Sequence, residues 1–251
     1  MKTARPIAVV TGGARRVGAA IAQALAQRGC DVLITYNASE RDANRTVAAL
    51  RRTGVAAGAM PLDLGDEGDV EAAVGALREH LPRLDVLVHN ASRYEPSPLG
   101  RITAAQVLAD YRAHALGPLL LTQGLVPLLK KSRLAGGAAV VAMTDMHVLG
   151  RPRRDLASYA MSKAALVEMV RSLARDLAPR VRVNGVAPGV VAWPTSGPEA
   201  ARAMQAAYLS RVPLERSGTP EDAAEVAAWL ALEARYVTGE IVRVDGGRWL
   251  A

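Results

Sequence analysis

The amino-acid sequence predicts an α/β fold: one doubly wound parallel sheet of about seven strands, with helices on both faces. Three observations carry this. Short runs rich in Val, Ile, Leu and Ala alternate regularly with longer amphipathic stretches along all 251 residues. The runs lack the apolar–polar alternation of a half-exposed strand, so they read as buried on both faces. No linker, repeat or low-complexity segment interrupts them, so residues 1–251 form a single domain of right-handed strand–helix–strand crossovers.

Strands are predicted at Ile7–Thr11, Asp31–Tyr36, Ala56–Asp63, Leu84–His89, Ala138–Thr144, Val181–Ala187 and Glu240–Val244. Helices are predicted at Gly18–Arg28, Ser39–Thr53, Asp66–His80, Thr103–Lys131, Ser158–Ala178 and Pro220–Leu232. Capping chemistry marks several starts. Ser39 precedes Glu40 and Asp42, Asp66 precedes Glu67 and Asp69, and Thr219 precedes Pro220, Glu221 and Asp222. The Gly/Pro-rich stretch Pro188–Pro198 and the helical pattern Glu199–Arg211 hang off this alternation. Such an insertion after a strand end predicts a substrate lid around 190–212.

Composition excludes several classes. Half the residues are hydrophobic, enough for a core without staples. The single cysteine, Cys30, permits no internal disulfide and reads as a small buried residue in a reducing compartment. No metal-ligand cluster accompanies it, so no metal is expected. The run Ile7–Val10 is too short for a signal peptide's apolar core, and no stretch approaches the roughly 20 apolar residues of a membrane helix. The chain thus reads as soluble and cytoplasmic. A net charge of +7 invites nucleic acid, but the basic residues are scattered, Phe is absent and no aromatic residues interleave a basic stripe. A small-molecule partner is expected instead.

The first strand runs into Thr11-Gly12-Gly13-Ala14-Arg15-Arg16-Val17-Gly18, and a helix follows. Gly12 permits a tight turn and Gly18 a close helix–strand approach, while the helix's free N–H groups meet a pyrophosphate. This makes the sheet Rossmann-like. Where NAD-binding folds place an acid at the end of the second strand, this chain has Thr35-Tyr36-Asn37-Ala38-Ser39. Arg15, Asn37 and Ser39, with Arg41 as a further candidate, suit a 2′-phosphate, so NADPH is the expected cofactor. In the helix after the fifth strand, Tyr159 and Lys163 stand at i and i+4 on one face. An ammonium beside a phenol is expected to lower the tyrosine pKa toward working pH, as an acid catalyst needs.

Taken in order, the glycine turn, His89-Asn90-Ala91-Ser92, Tyr159/Lys163, Val186-Ala187-Pro188-Gly189 and Val244-Asp245-Gly246-Gly247 resemble the short-chain dehydrogenase/reductase family over essentially the whole chain. The resemblance implies Tyr159 as proton donor and Lys163 as its tuner and a nicotinamide-ribose ligand. It also implies cofactor contacts from Val17, Tyr36, Asn90, Ala91, Ser92, Pro188, Gly189 and Val190, with Asp63 and Leu64 near the adenine, and a homotetramer.

Departures from the common pattern narrow the resemblance. Asp145 stands where the family has a serine, His114 where it has a mid-helix asparagine of a proton relay, and Arg16 in place of the middle glycine. These are similar to pteridine reductases, in particular dihydromonapterin reductases, which share the Arg-bearing turn, an Asp–Tyr–Lys catalytic group (Asp145, Tyr159, Lys163), an aromatic after Asn-Ala-Ser (Tyr94) and a closing Asp-Gly-Gly-Arg (Asp245 to Arg248). That similarity implies Tyr94 stacked on a pterin, with Ser92, Arg16 and Asp145 at its polar edge. The expected reaction is NADPH-dependent reduction of a dihydropterin, such as dihydromonapterin, dihydrobiopterin or dihydrofolate, to the tetrahydro form. Two other readings stay open: a carbonyl or 3-oxoacyl thioester reductase, and a non-catalytic NADPH sensor.

Overall fold

Every predicted apolar run forms a strand in the computed structural model, which describes residues 5–193 and 200–251. The strands are β1 (Ile7–Val10), β2 (Asp31–Tyr36), β3 (Ala57–Pro61), β4 (Val86–His89), β5 (Ala138–Met143), β6 (Val181–Pro188) and β7 (Ile241–Val244). They pair in parallel in the order β3-β2-β1-β4-β5-β6-β7. The central strands β4 and β5 are buried at every residue, and their one polar member is His89 at the carboxyl end of β4.

Each face carries three helices. On one lie α1 (Arg16–Gln27), α2 (Glu40–Arg51) and α8 (Pro220–Leu232), whose Ile21, Leu25, Leu50 and Leu230 share a core with Val10, Ile34 and Val141. Alanines fill the α8 side of that core (Ala223, Ala224, Ala227, Ala228, Ala231), so small side chains allow α8 to approach closely. On the other face α3 (Glu67–His80), α5 (Gly117–Leu129) and α6 (Ala157–Asp176) bury Leu77, Leu121, Leu125 and Leu166 against Val9, Val140 and Val183. Fully burying a side chain of this kind contributes roughly 1.5–3 kcal/mol. Cys30 lies fully buried in the first core, and burial pushes its thiol up to about 12, so it is an inert packing residue.

Two predicted helix starts are capped as expected. Asp66 accepts from Asp69 N–H, and Thr219 with Asp222 forms a capping box. Ser39 does not cap α2: its side chain makes no cap hydrogen bond. The predicted helix Thr103–Lys131 is also corrected. It divides into α4 (Ala104–Tyr111), a π-turn over Arg112–Leu116, and α5. Pro118 has no N–H to offer the His114 carbonyl, and Gly117 N–H bonds instead to Arg112 O, five residues back.

Arg182 on β6 illustrates how the core tolerates a buried charge. Its guanidinium donates to Leu230 O (2.7 Å) and Ala231 O (2.8 Å) in the last turn of α8, and to Ala234 O (2.8 Å) just beyond it. Arg182→Ala is expected to lower unfolding free energy by about 3 kcal/mol, read as a lower urea midpoint at unchanged m-value.

Candidate active site

The strand order reverses between β1 and β4, and a doubly wound sheet opens for a ligand at the carboxyl ends of those strands. Thr11 Oγ1 accepts from Asn90 N–H (3.0 Å) and Ala91 N–H (3.1 Å), joining the two strand ends. Asn90 Nδ2 donates to Thr11 O (3.0 Å) and Gly12 O (3.1 Å). Its amide protons therefore brace the turn from behind. Gly12 has φ 62°, and a Cβ there would lie 2.8 Å from Ala91 Cα; one on Gly18 would lie 2.2 Å from Gly12 O. No side chain caps α1 and no acid sits in its first turn, so its leading N–H groups and positive dipole end remain for an anion.

Arg16, at the replaced glycine, keeps the left-handed conformation with φ 51°, which costs a non-glycine residue roughly 1–2 kcal/mol. Its guanidinium donates to Ala192 O at 2.8 Å, tying the turn to the segment after β6. Arg15 is exposed and lies 3.7 Å from Asp42. Beside it, at the end of β2, Tyr36 and Ser39 are half-buried and Asn37 is exposed. Asp63 accepts from Gly65 N–H (2.8 Å), and Gly117 at the start of α5 packs against Leu64, where a Cβ would lie 2.2 Å from Leu64 O. Pro188 ends β6, Gly189 N–H bonds Val244 O (2.9 Å), and Val190 N–H bonds the Tyr208 hydroxyl (3.0 Å).

The residues with chemistry converge at the carboxyl edge of β5. Asp145 follows that strand and accepts His147 N–H at 2.7 Å, while the Tyr159 hydroxyl donates to its other oxygen at 3.0 Å. Lys163, one turn along α6, donates to Met143 O at 2.8 Å, and its ammonium lies 5.9 Å from the centre of the Tyr159 ring. Tyr159 and Lys163 are both buried. The expected lowering of the tyrosine pKa does not occur. Burial first, then the Asp145 carboxylate and its hydrogen bond, hold Tyr159 well above its ordinary value. Burial pulls Lys163 down to about 8, against the opposing pull of Asp145.

Tyr94 borders this centre. Its ring meets Tyr159 edge-on at 5.0 Å, and Arg153 Nη1 donates to its hydroxyl at 3.0 Å. Ser92 lies within 3.0 Å of His114 Nε2, which also accepts Arg93 N–H at 3.0 Å. Because Ser162 Oγ donates to Tyr159 O, it must accept from His114 Nδ1, 2.7 Å away; this network assigns the tautomer. Burial pushes His114 down to about 2, so it stays neutral. The π-turn thus sets a positioning residue that ties the Ser92–Arg93 segment to α6.

A cavity of about 500 Å³ opens at His147 and Arg153, whose partners are Asp145 and Tyr94. Its walls include His147, Val190 and, from the predicted lid, Trp193 and helix α7 (Arg202–Leu209), which is shorter than the predicted Glu199–Arg211. Residues 194–199 of that lid lie outside the described residues. Sequence reasoning passed over Arg153, Trp193 and Tyr208. Trp193 and Tyr208 fell within the predicted lid without a role of their own, and Arg153 was legible only as charge in the run from Arg151 to Arg154. Among the described residues, no group of three or more His, Cys, Asp or Glu is placed to hold a metal ion, and no helix is long and apolar enough to cross a membrane.

A parallel sheet opening at a glycine turn, with tyrosine and lysine one helical turn apart at its carboxyl edge, defines an oxidoreductase of the short-chain type. The chain belongs to the short-chain dehydrogenase/reductase family: the family model described as enoyl-(acyl carrier protein) reductase matches residues 12–248. Pteridine reductase 1 of Leishmania tarentolae is 32% identical over 280 residues, covering 96% of each chain. The 3-oxoacyl-[acyl-carrier-protein] reductase FabG of Thermotoga maritima is 31% identical over 249 residues, covering 98% of this chain and 99% of its own. Among solved structures, a short-chain dehydrogenase from Burkholderia cenocepacia in complex with NADP superposes with a TM-score of 0.87 at 33% identity, covering 97% of both chains.

Proposed function

We propose that the protein is an NADPH-dependent reductase of a dihydropterin, working in the cytoplasm as the homotetramer that the family resemblance implies. The observation that carries the pterin reading is the 3.0 Å hydrogen bond from the Tyr159 hydroxyl to Asp145. An ionised carboxylate cannot donate to a carbonyl oxygen and repels the oxyanion that ketone reduction develops. It can accept from the N–H groups of an aminopyrimidine, or carry the proton that Tyr159 passes on. Tyr94, edge-on to Tyr159 and 44% exposed, supplies a wall for a flat ring.

The cofactor residues fit NADPH. The close approaches at Gly12 and Gly18 and the uncapped start of α1, with Arg15, Arg16 and Val17, would take the pyrophosphate. Tyr36, Asn37, Ser39 and Arg15 would border a 2′-phosphate, and no acid ends β2 to repel it. Asp63 and Leu64 would flank the adenine, and Asn90, Ala91, Ser92, Lys163, Pro188, Gly189 and Val190 the nicotinamide end. When bound, NADPH supplies hydride. Tyr159 holds a proton for the acceptor nitrogen, Asp145 orients that phenol and the substrate's polar edge, and the Lys163 ammonium offsets the charge left on the phenol.

With burial holding Lys163 down to about 8, its ammonium is expected below that pH and lost above it. NADPH affinity, followed by fluorescence, is expected to hold below about pH 8 and to fall up to about tenfold per pH unit above it. Lys163→Met should remove that pH dependence. The reading as a whole is tested by NADPH oxidation with dihydropterins and 3-oxoacyl thioesters in parallel. Pterin turnover at background, with brisk thioester reduction, would replace it with the carbonyl reductase.

A further inference from the structure

The cavity at His147 is lined by four arginines, Arg151, Arg153, Arg211 and Arg248, and by no acidic side chain among the described residues. Arg211 Nε donates to Ala207 O (3.2 Å), and Arg248 Nη1 (3.0 Å) and Arg151 Nη1 both donate to Ala251 O. Arg153 serves Tyr94. Arg151 and Arg248 thus share the carboxyl group of Ala251, while Asp145 is committed to His147 N–H and Tyr159, and Asp245 to Gly247 N–H (3.0 Å) and Trp249 N–H (3.0 Å), which leaves Arg211 and the buried Nε of Arg248 for an added anion.

Arg248 is 7% exposed, and its Nε is buried with no hydrogen-bond partner. Burial, with Arg211 and Arg151 close by, holds Arg248 below its ordinary value. Gathering like charges around a cavity and burying a donor unpaired both cost stability. A bound anion would offset both. Trp193 and Tyr208, in edge-to-face contact at 5.5 Å, add an aromatic wall for an uncharged linking segment.

We propose that this cavity is a recognition site for a carboxylate or phosphate on the tail of the substrate whose head ring reacts at Tyr159. The identity of that head ring rests on the pterin reading; the anion site does not. A direct test titrates the NADPH-saturated enzyme with pyrophosphate by calorimetry, so that the cofactor's own phosphate sites are filled. Saturable binding is expected, weakened about tenfold in Arg211→Ala, the loss of one charge-assisted hydrogen bond. Arg175→Ala, on an exposed face of α6, serves as the control and should bind as the parent does. No binding, or equal weakening by both variants, overturns the proposal.

Substrate pairs then identify the source of the anion. Dihydrofolate (carboxylates) and dihydroneopterin triphosphate (phosphates) are compared with dihydrobiopterin, which has a neutral tail. A 3-oxoacyl-CoA is compared with its N-acetylcysteamine thioester. In whichever family turns over, the anionic member should lead in kcat/KM by about tenfold or more, mainly through KM, and the lead should shrink with salt and in Arg211→Ala. Dihydropterin reduction indifferent to the tail would sink the anion site and leave the pterin reading standing. Preference shown only within the thioester pair would do the reverse.

Discussion

Tyr159→Phe is expected to lower the reduction rate at least about a thousandfold while NADPH affinity stays within a few-fold of the parent. The hydroxyl lost is the one that donates to Asp145 at 3.0 Å. What remains is a ring that still meets Tyr94 at 5.0 Å and His114 at 5.5 Å, so the pocket wall should survive. Single-turnover absorbance at 340 nm would separate the chemical step from binding. A variant retaining a tenth or more of the parent rate would show that the proton comes from elsewhere. The same experiment bears on the sensor reading, since a dinucleotide sensor has no rate to lose.

Replacing Asp145 should act on the reaction more selectively. Asp145→Asn keeps an oxygen able to accept His147 N–H but removes the charge facing Tyr159. Dihydropterin kcat/KM is expected to fall about a hundredfold, the lower end of what a positioned acid–base group contributes. The Tyr159 pKa should move down, because the carboxylate is the second cause of its elevation after burial. A spectroscopic phenol titration would read that shift, which a purely structural role for Asp145 would not produce. Asp145→Ser goes further: a hydroxyl can donate to a carbonyl oxygen, so ketone reduction should rise as pterin reduction falls. Unchanged pterin turnover in both variants would remove Asp145 from the mechanism.

The local signals in the sequence were read without ambiguity where one element decides its own structure. Apolar runs buried on both faces located all seven strands, and the i, i+4 spacing of Tyr159 and Lys163 put them on one face of α6. The error at Thr103–Lys131 has a local cause too, since Pro118 signalled a missing donor but not that a π-turn would absorb it. Direction of the Tyr159 shift was not legible. The ammonium four residues away was visible in the sequence, whereas the degree of burial and the aim of Asp145 were not.

By itself, then, the sequence determined the order of strands and helices, the glycine turn and the residue types available for proton transfer, because periodicity and turn chemistry act over a few residues. Only the tertiary structure decided which of those residues meet. The Arg16–Ala192 tie joins positions 176 residues apart, and the His114–Ser162 contact joins positions 48 apart. The arginine cavity draws on the loop after β5, on α7 and on the chain beyond β7 at once. Packing of the whole sheet sets those distances, and with them the desolvation and Coulomb terms that give each group its chemistry.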